Sequence, residues 1–310
     1  MKQGGTPPTG KWIGSPTGGV TAPEPLMLPD LTSRFSATAA RLRALADGHP
    51  MEKWLDFMAL LSDAQHNAAM APAAMPATDP SLIAQSVEAR MPPLAADGHQ
   101  RHSAWRDGLT TLLDELDGGD IPAPAAAVIA DVRLHSADDI EDLADRFLRG
   151  SLDPADVGPA LYVAAALQVY FTRLAASLDA STLRLLPQRG LCPCCGSTPV
   201  SGLITASGPT PGTRYLYCSL CSTAWNHVRV ICITCEGSGA LTLKGIEGGS
   251  AAVQAETCDD CRTYAKMLYQ GKDTKVDPYA DDLASLGLDI MVSEAGWARH
   301  APNPLLLVVA

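Results

Sequence analysis

Several things are scarce in this chain of 310 residues. Aromatic residues make up 5% and charged residues 18%, the latter below the quarter usual in soluble domains. No run approaches the ~18 apolar residues of a membrane helix. The most apolar stretch, around Leu161–Phe171, is Ala-rich and interrupted by Gln168, and Leu305–Val309 is far too short. Positive charge is also short: 23 Lys and Arg stand against 34 Asp and Glu, for a net charge of −11. The short runs argue against membrane insertion. The acidic balance argues against a nucleic-acid binder, because affinity for phosphates rests on Lys and Arg. Disorder requires low hydrophobicity together with high charge, whereas 46% of this chain is hydrophobic. Residues 1–29 form a Gly/Pro-rich arm without the apolar core of a secretory leader. The expected compartment is therefore the cytoplasm, where thiols are kept reduced.

Residues 30–186 hold no cysteine and no catalytic motif. They are rich in Ala and Leu and read as helices. Phe35, Ala39, Leu42 and Leu45 fall on one helical face, as do Met51, Leu55, Met58 and Leu61, with His49-Pro50 between them. Ile140, Leu143 and Phe147 form another stripe behind Ser136 and Asp139, which stand at capping-box spacing. Asp153-Pro154 is a start signal, with Asp as N-cap and Pro at the first helical position. The long helix expected after it carries Val157, Leu161, Ala164, Leu167, Phe171, Leu174 and Leu178 on one face. Weaker helices are expected over 81–90, 99–116 and 122–132, giving an all-α bundle of roughly five to seven helices. His66, His99, His102 and His135 stand singly and receive no role. Asp138, Asp139, Glu141 and Asp142 read as a solvated first turn favoured by the helix dipole, not as an acid/base pair.

All nine cysteines fall between 190 and 271. Eight of them form C-x-x-C pairs: Cys192/Cys195, Cys218/Cys221, Cys232/Cys235 and Cys258/Cys261. Adding 40 to the first four positions gives the other four, so 192–221 and 232–261 are two copies of one unit. The two sulfurs of a C-x-x-C turn converge readily on one metal, and two facing turns complete a tetrahedral site of four sulfurs. The repeat predicts consecutive pairing, 192/195 with 218/221 and 232/235 with 258/261; a cross-braced pairing is the alternative. Disulfides conflict with the compartment, and thioredoxin-type dithiols lack their βαβ context. Strands expected over Arg214–Tyr217, Val228–Ile231, Leu241–Leu243 and Val253–Glu256 make each copy a small zinc-ribbon or rubredoxin-like module, folded largely by its metal. Iron and zinc both accept four-sulfur coordination, and spacing does not choose between them. Cys194 is the odd cysteine. Its repeat-mate is Thr234, so it reads as a small, partly buried residue, with a reactive thiol beside the metal as the other reading. His227 is weighed as a ligand or as a supporting donor.

Phrases beyond the cysteines complete the pattern. They include Leu28-Pro29-Asp30, Arg41-Leu42-Arg43-Ala44-Leu45-Ala46 and His49-Pro50. Leu191-Cys192-Pro193-Cys194-Cys195-Gly196-Ser197 is followed by Pro199-Val200. Arg214-Tyr215-Leu216-Tyr217-Cys218-Ser219-Leu220-Cys221 leads to Trp225 and Val228-Arg229-Val230. Ala280-Asp281-Asp282-Leu283-Ala284-Ser285-Leu286 and Asn303-Pro304-Leu305-Leu306 close the chain. In these phrases the sequence resembles the FdhE family of formate dehydrogenase accessory proteins, over nearly its whole length after the arm. It departs from the family pattern at Cys194 and at Asn226-His227.

The resemblance implies an α+β fold: an all-α helical N-terminal domain, then two tandem rubredoxin-like modules. It implies iron at two mononuclear sites ligated by Cys192, Cys195, Cys218 and Cys221 and by Cys232, Cys235, Cys258 and Cys261, with zinc as the alternative. It implies a cytoplasmic factor, not an enzyme, that binds the catalytic subunit of a respiratory formate dehydrogenase and supports its assembly. A rubredoxin-like electron carrier is the second reading, and a zinc-ribbon nucleic-acid binder the third. The expected organisation is an arm at 1–29, a helical domain at 30–186, metal modules at 187–228 and 229–271, and a tail at 272–310 packing on the modules.

Overall fold

The computed structural model describes residues 22–306 except 73, 74, 76 and 77. Most of the Gly/Pro-rich arm and the end of the Leu305–Val309 run lie outside the described residues. After a short strand at Leu26–Met27 come seven α-helices: α1 (Arg34–Ala46), α2 (Glu52–Met70), α3 (Pro80–Glu88), α4 (Ala104–Asp117), α5 (Ala123–Val132), α6 (Ala137–Arg149) and α7 (Val157–Ala176). Between Arg34 and Ala176 no strand occurs among the described residues. Phe35, Ala39 and Leu42 of α1 and Leu55, Met58 and Leu61 of α2 are fully buried, as their spacing requires. At the start of α6 the Ser136 and Asp139 side chains cap each other's backbone amides, and Gly150 ends the helix at φ 66°. Asp153-Pro154 opens a 3-10 turn, Pro154–Asp156, so α7 begins one turn later than the cap signal suggests.

Helix α7 is the hub of the bundle. From Ala160 to Ala175 every residue except Leu161 and Arg173 is buried. A helix apolar on all sides belongs inside a core, and α2, α4, α5 and α6 pack around it. The single stripe read from the sequence is thus only part of the buried surface. Gln168, which interrupts the apolar run, is satisfied there. Its Oε1 accepts from Gln65 Nε2 at 2.9 Å, and its own Nε2 donates to the Ser219 carbonyl at 2.8 Å. The bundle is thereby tied to the first cysteine unit.

One sheet fills the rest of the molecule. Its strands are β1 (Leu26–Met27), β2 (Pro199–Ile204), β3 (Arg214–Cys218), β4 (Ala224–Asn226), β5 (Leu241–Lys244), β6 (Val253–Cys258) and β7 (Thr263–Tyr269). Their order is β1-β4-β3-β2-β7-β6-β5, and β8 (Ala298–Arg299) lies parallel to β7. The 40-residue repeat is visible in this order. The first unit supplies β2-β3-β4 and the second β5-β6-β7, each antiparallel. The units fuse where β2 and β7 run parallel, with Gly202 opposite Met267. Helices α8 (Ala280–Ala284) and α9 (Leu286–Glu294) follow the sheet.

The strand expected over Val228–Ile231 does not form. Val228, Arg229 and Val230 lie in the exposed connection between the units. β-Branched residues favour strands only where a partner strand exists. Here the Arg214 guanidinium takes the Val228 and Ile231 carbonyls, the latter at 2.6 Å.

Candidate metal centres

Each C-x-x-C pair is followed by a residue in the left-handed region: Gly196 at φ 78°, Ser222 at 60°, Glu236 at 57° and Arg262 at 57°. Only the first is glycine. The other three accept an uncommon conformation that turns the chain back and leaves both sulfurs on its inner side. The turns share their bonding as well. Gly196, Glu236 and Arg262 donate their amides to the carbonyls of Cys192, Cys232 and Cys258 at 2.9, 3.1 and 3.0 Å.

These turns bring the eight cysteines into two clusters, one of Cys192, Cys195, Cys218 and Cys221 and one of Cys232, Cys235, Cys258 and Cys261, with all Sγ atoms of each within 4.8 Å of one another. In the first cluster Cys192 and Cys221 are 3.5 Å apart and Cys195 and Cys218 3.4 Å apart. The corresponding separations in the second are 3.7 and 3.8 Å. A tetrahedron with metal–sulfur bonds of ~2.3 Å has sulfur–sulfur edges of about 3.8 Å, so both clusters are of the right size to hold one ion each. Neither Cys194 nor His227 belongs to a cluster.

Electrostatics favours a cation in both. Burial pushes the Cys192 and Cys218 thiols well up, and the Cys232 thiol up to about 12. Four thiolates cannot share such a space unless a positive ion offsets them. Polar groups nearby already point at sulfur. The Leu220 and Cys221 amides donate to Cys218 Sγ at 3.4 and 3.3 Å. The Thr223 hydroxyl lies 3.2 Å from Cys221 Sγ, and its repeat-mate Thr263 lies 3.1 Å from Cys261 Sγ. This threonine pair obeys the offset of 40 and was legible in the sequence on the same grounds as the cysteines.

The clusters differ in setting. The first, with Cys194 beside it, is part of the main hydrophobic core shared with the helices. The loop after α3 is bonded onto its turn: Leu94 and Ala96 donate their amides to the Cys194 and Cys195 carbonyls, both at 2.8 Å. In the second cluster Cys235 is exposed and Cys261 half-buried. His227 is buried, and its Nδ1 lies 2.6 Å from Arg214 Nη2. Burial and the Arg214 charge push its pKa down to about 4, so it is neutral near pH 7. Arg214 also reaches Glu256 at 2.5 Å, a link between the two units that no motif announces. Among the helical histidines, His99 packs on Tyr170 and Phe171.

A mixed helix-and-sheet protein with two four-cysteine clusters able to hold metal ions is the class defined by this fold and these sites. Family models for the FdhE N-terminal, central and C-terminal domains match residues 23–187, 191–229 and 230–306. The chain belongs to the FdhE family. It is 40% identical over 283 residues to the protein FdhE homolog of Edwardsiella ictaluri, covering 91% of each chain. It is 38% identical over 284 residues to protein FdhE of Shigella boydii, again covering 91% of each. Its fold matches the crystal structure of the FdhE protein from Pseudomonas aeruginosa with a TM-score of 0.82 and 36% identity, covering 91% of this chain and 98% of that one.

Proposed function

We propose that this protein is a cytoplasmic, non-enzymatic formation factor for respiratory formate dehydrogenase, and that it binds the catalytic subunit of that enzyme. The observation that carries the reading is membership of the FdhE family over nearly the whole described chain. Residues 30–186 serve as a helical domain. Residues 187–228 and 229–271 serve as rubredoxin-like metal modules, and the described part of the 272–310 tail, to residue 306, packs on them. Each four-cysteine cluster holds one metal ion, iron in the native host and zinc as its substitute after overexpression. The protein's own part is to hold four sulfurs at tetrahedral spacing and to exclude water from the first cluster. Arg229, on the exposed connection, and the exposed part of the 208–214 turn, 208–212, are contacts for the client subunit; Thr213 and Arg214 are buried and make none. The complex is transient, because the client must leave, and so its interface is modest and polar.

The direct test is co-purification with a tagged catalytic subunit, together with deletion of the gene. The expected result is association, and loss of formate dehydrogenase activity with transcription of the enzyme intact. Full activity in the deletion strain with no association would overturn the reading. One observation favours electron transfer as a second reading: the exposed edge of the second cluster at Cys235 would give a redox ion access to a partner. A reversible change in visible absorption of the anaerobically purified protein would support it.

A further inference from the structure

We propose that the two four-cysteine clusters do unequal work: the first is a permanent structural closure, and the second is an exchange centre whose metal is open to incoming thiolates and chelators through Cys235. The proposal rests on the reading that each cluster holds a metal.

The four turns are close copies, so the difference lies in what covers them. Residues at matching positions of the repeat decide it. Between Cys218 and Cys221 stand Ser219 and Leu220, 6% and 3% exposed. Forty residues on, between Cys258 and Cys261, stand Asp259 and Asp260, both exposed. Cys194, 0% exposed, is matched by exposed Thr234. The sequence has thus placed apolar or neutral groups over one cluster and carboxylates over the other.

Packing follows from that choice. The first cluster's cysteines are no more than 1% exposed, and Tyr279 Oη donates to the Cys218 carbonyl at 3.1 Å. A ligand reaching the first metal must part the knuckle from the helical bundle. At the second, Cys235 Sγ needs no such opening. Exposed Glu236, Asp259 and Asp260 make that approach polar, with Asp259 paired to Arg262 at 3.1 Å.

The exchange step needs no oxidant. With a metal held there, an incoming thiolate would take the position that Cys235 yields, and Cys235 would leave as a thiolate. Were a chelator to take the ion completely, the four thiolates would recover protons from solvent.

The full-length protein loaded with two zinc ions is mixed with excess 4-(2-pyridylazo)resorcinol, and zinc release is followed by absorbance. One equivalent is expected to leave quickly, and the other on the order of 100-fold more slowly, because it waits on opening of the core. Brief treatment with iodoacetamide followed by peptide mapping should label Cys235 and Cys261 before Cys192, Cys195, Cys218 or Cys221. Cys235→Ser should remove the fast equivalent and keep the helical circular dichroism. Release of both ions in one phase, or earlier labelling of the first cluster, would overturn the proposal. A reduced, fully folded chain that takes up no zinc would instead overturn the metal reading beneath it. The labelling order of the unaltered protein decides the matter even where a variant fails to fold.

Discussion

Lys266 and Asp282 are both fully buried, with the ammonium 3.3 Å from the carboxylate. Lys266 Nζ also donates to the Asp282 carbonyl and pairs with Asp289, both at 2.6 Å. Arg299 and Asn303 close on the same aspartate from the far end of the chain. Burial pushes the Asp282 carboxyl up, but Lys266 and Arg299 more than undo that and hold it below its usual range. These contacts strap α8, α9 and β8 to β7.

Lys266→Met should therefore cost about 3–5 kcal/mol, the range for breaking a buried ion pair on one side. The loss comes from the carboxylates left without their main counter-charge. Urea denaturation of the metal-loaded protein measures it. The double variant Lys266→Met/Asp282→Asn should lose less than the two single losses added together. Simple additivity would show that the two residues act independently.

Cys218→Ser should release the metal of the first cluster, because only three thiolates remain and the unit loses its main folding contribution. Cys194→Ser should leave two metals per chain. It places a hydroxyl in the apolar core and should lower stability by about 1–3 kcal/mol through that alone. Elemental analysis beside thermal unfolding separates the two effects. Equal metal loss in both variants would refute the division between ligands and bystander.

How much of this was legible in the sequence depended on the kind of signal. Phe35, Leu42, Leu55 and Met58 were placed correctly because a half-buried helix advertises one face. Helix α7 was underestimated because periodicity selects a face even where all faces are buried, and Gln168 looked like an interruption when it is a core hydrogen bond. Val228–Ile231 looked like a strand from composition, yet pairing is a property of the sheet and Arg214 had taken its carbonyls. Strand β2 was missed because Pro199 and Gly202 argue against a strand, although Gly202 is where β2 meets Met267 of β7. The eight clustered cysteines were legible through their spacing alone. The unequal exposure of the clusters was not, because it resides in Ser219 and Leu220 against Asp259 and Asp260, which carry no motif.

His227 predicts a pH dependence. Its folded pKa is about 4 against 6.5 when unperturbed. Between those values the unfolded chain binds a proton that the folded chain does not. Stability should then be flat above pH 6.5 and fall as pH drops toward 4, by about 1.4 kcal/mol per unit from this group. His227→Gln should flatten that part of the profile. Because acid also protonates thiolates, the comparison is made at equal metal content. An unchanged slope in the variant would assign the acid sensitivity to the clusters.

Gly190 joins the two units by lack of a side chain. A β-carbon there would overlap the carbonyl oxygen of Ile233, inside the turn between Cys232 and Cys235. The segment cannot swing aside easily. Trp225 Nε1 donates to the Arg189 carbonyl at 2.8 Å, and the Arg189 amide donates to Glu236 Oε1 at 2.8 Å. Gly190→Ala must then displace backbone rather than a flexible side-chain end, and the backbone it meets is the turn of the second cluster. The expected cost is about 1–3 kcal/mol, the usual range for overpacking, with a corresponding fall in Tm. Zinc release from the second cluster should quicken while release from the first stays as it was. A variant with unchanged Tm and unchanged release from both clusters would mean that the contact at Gly190 yields freely and does not hold the second turn in place.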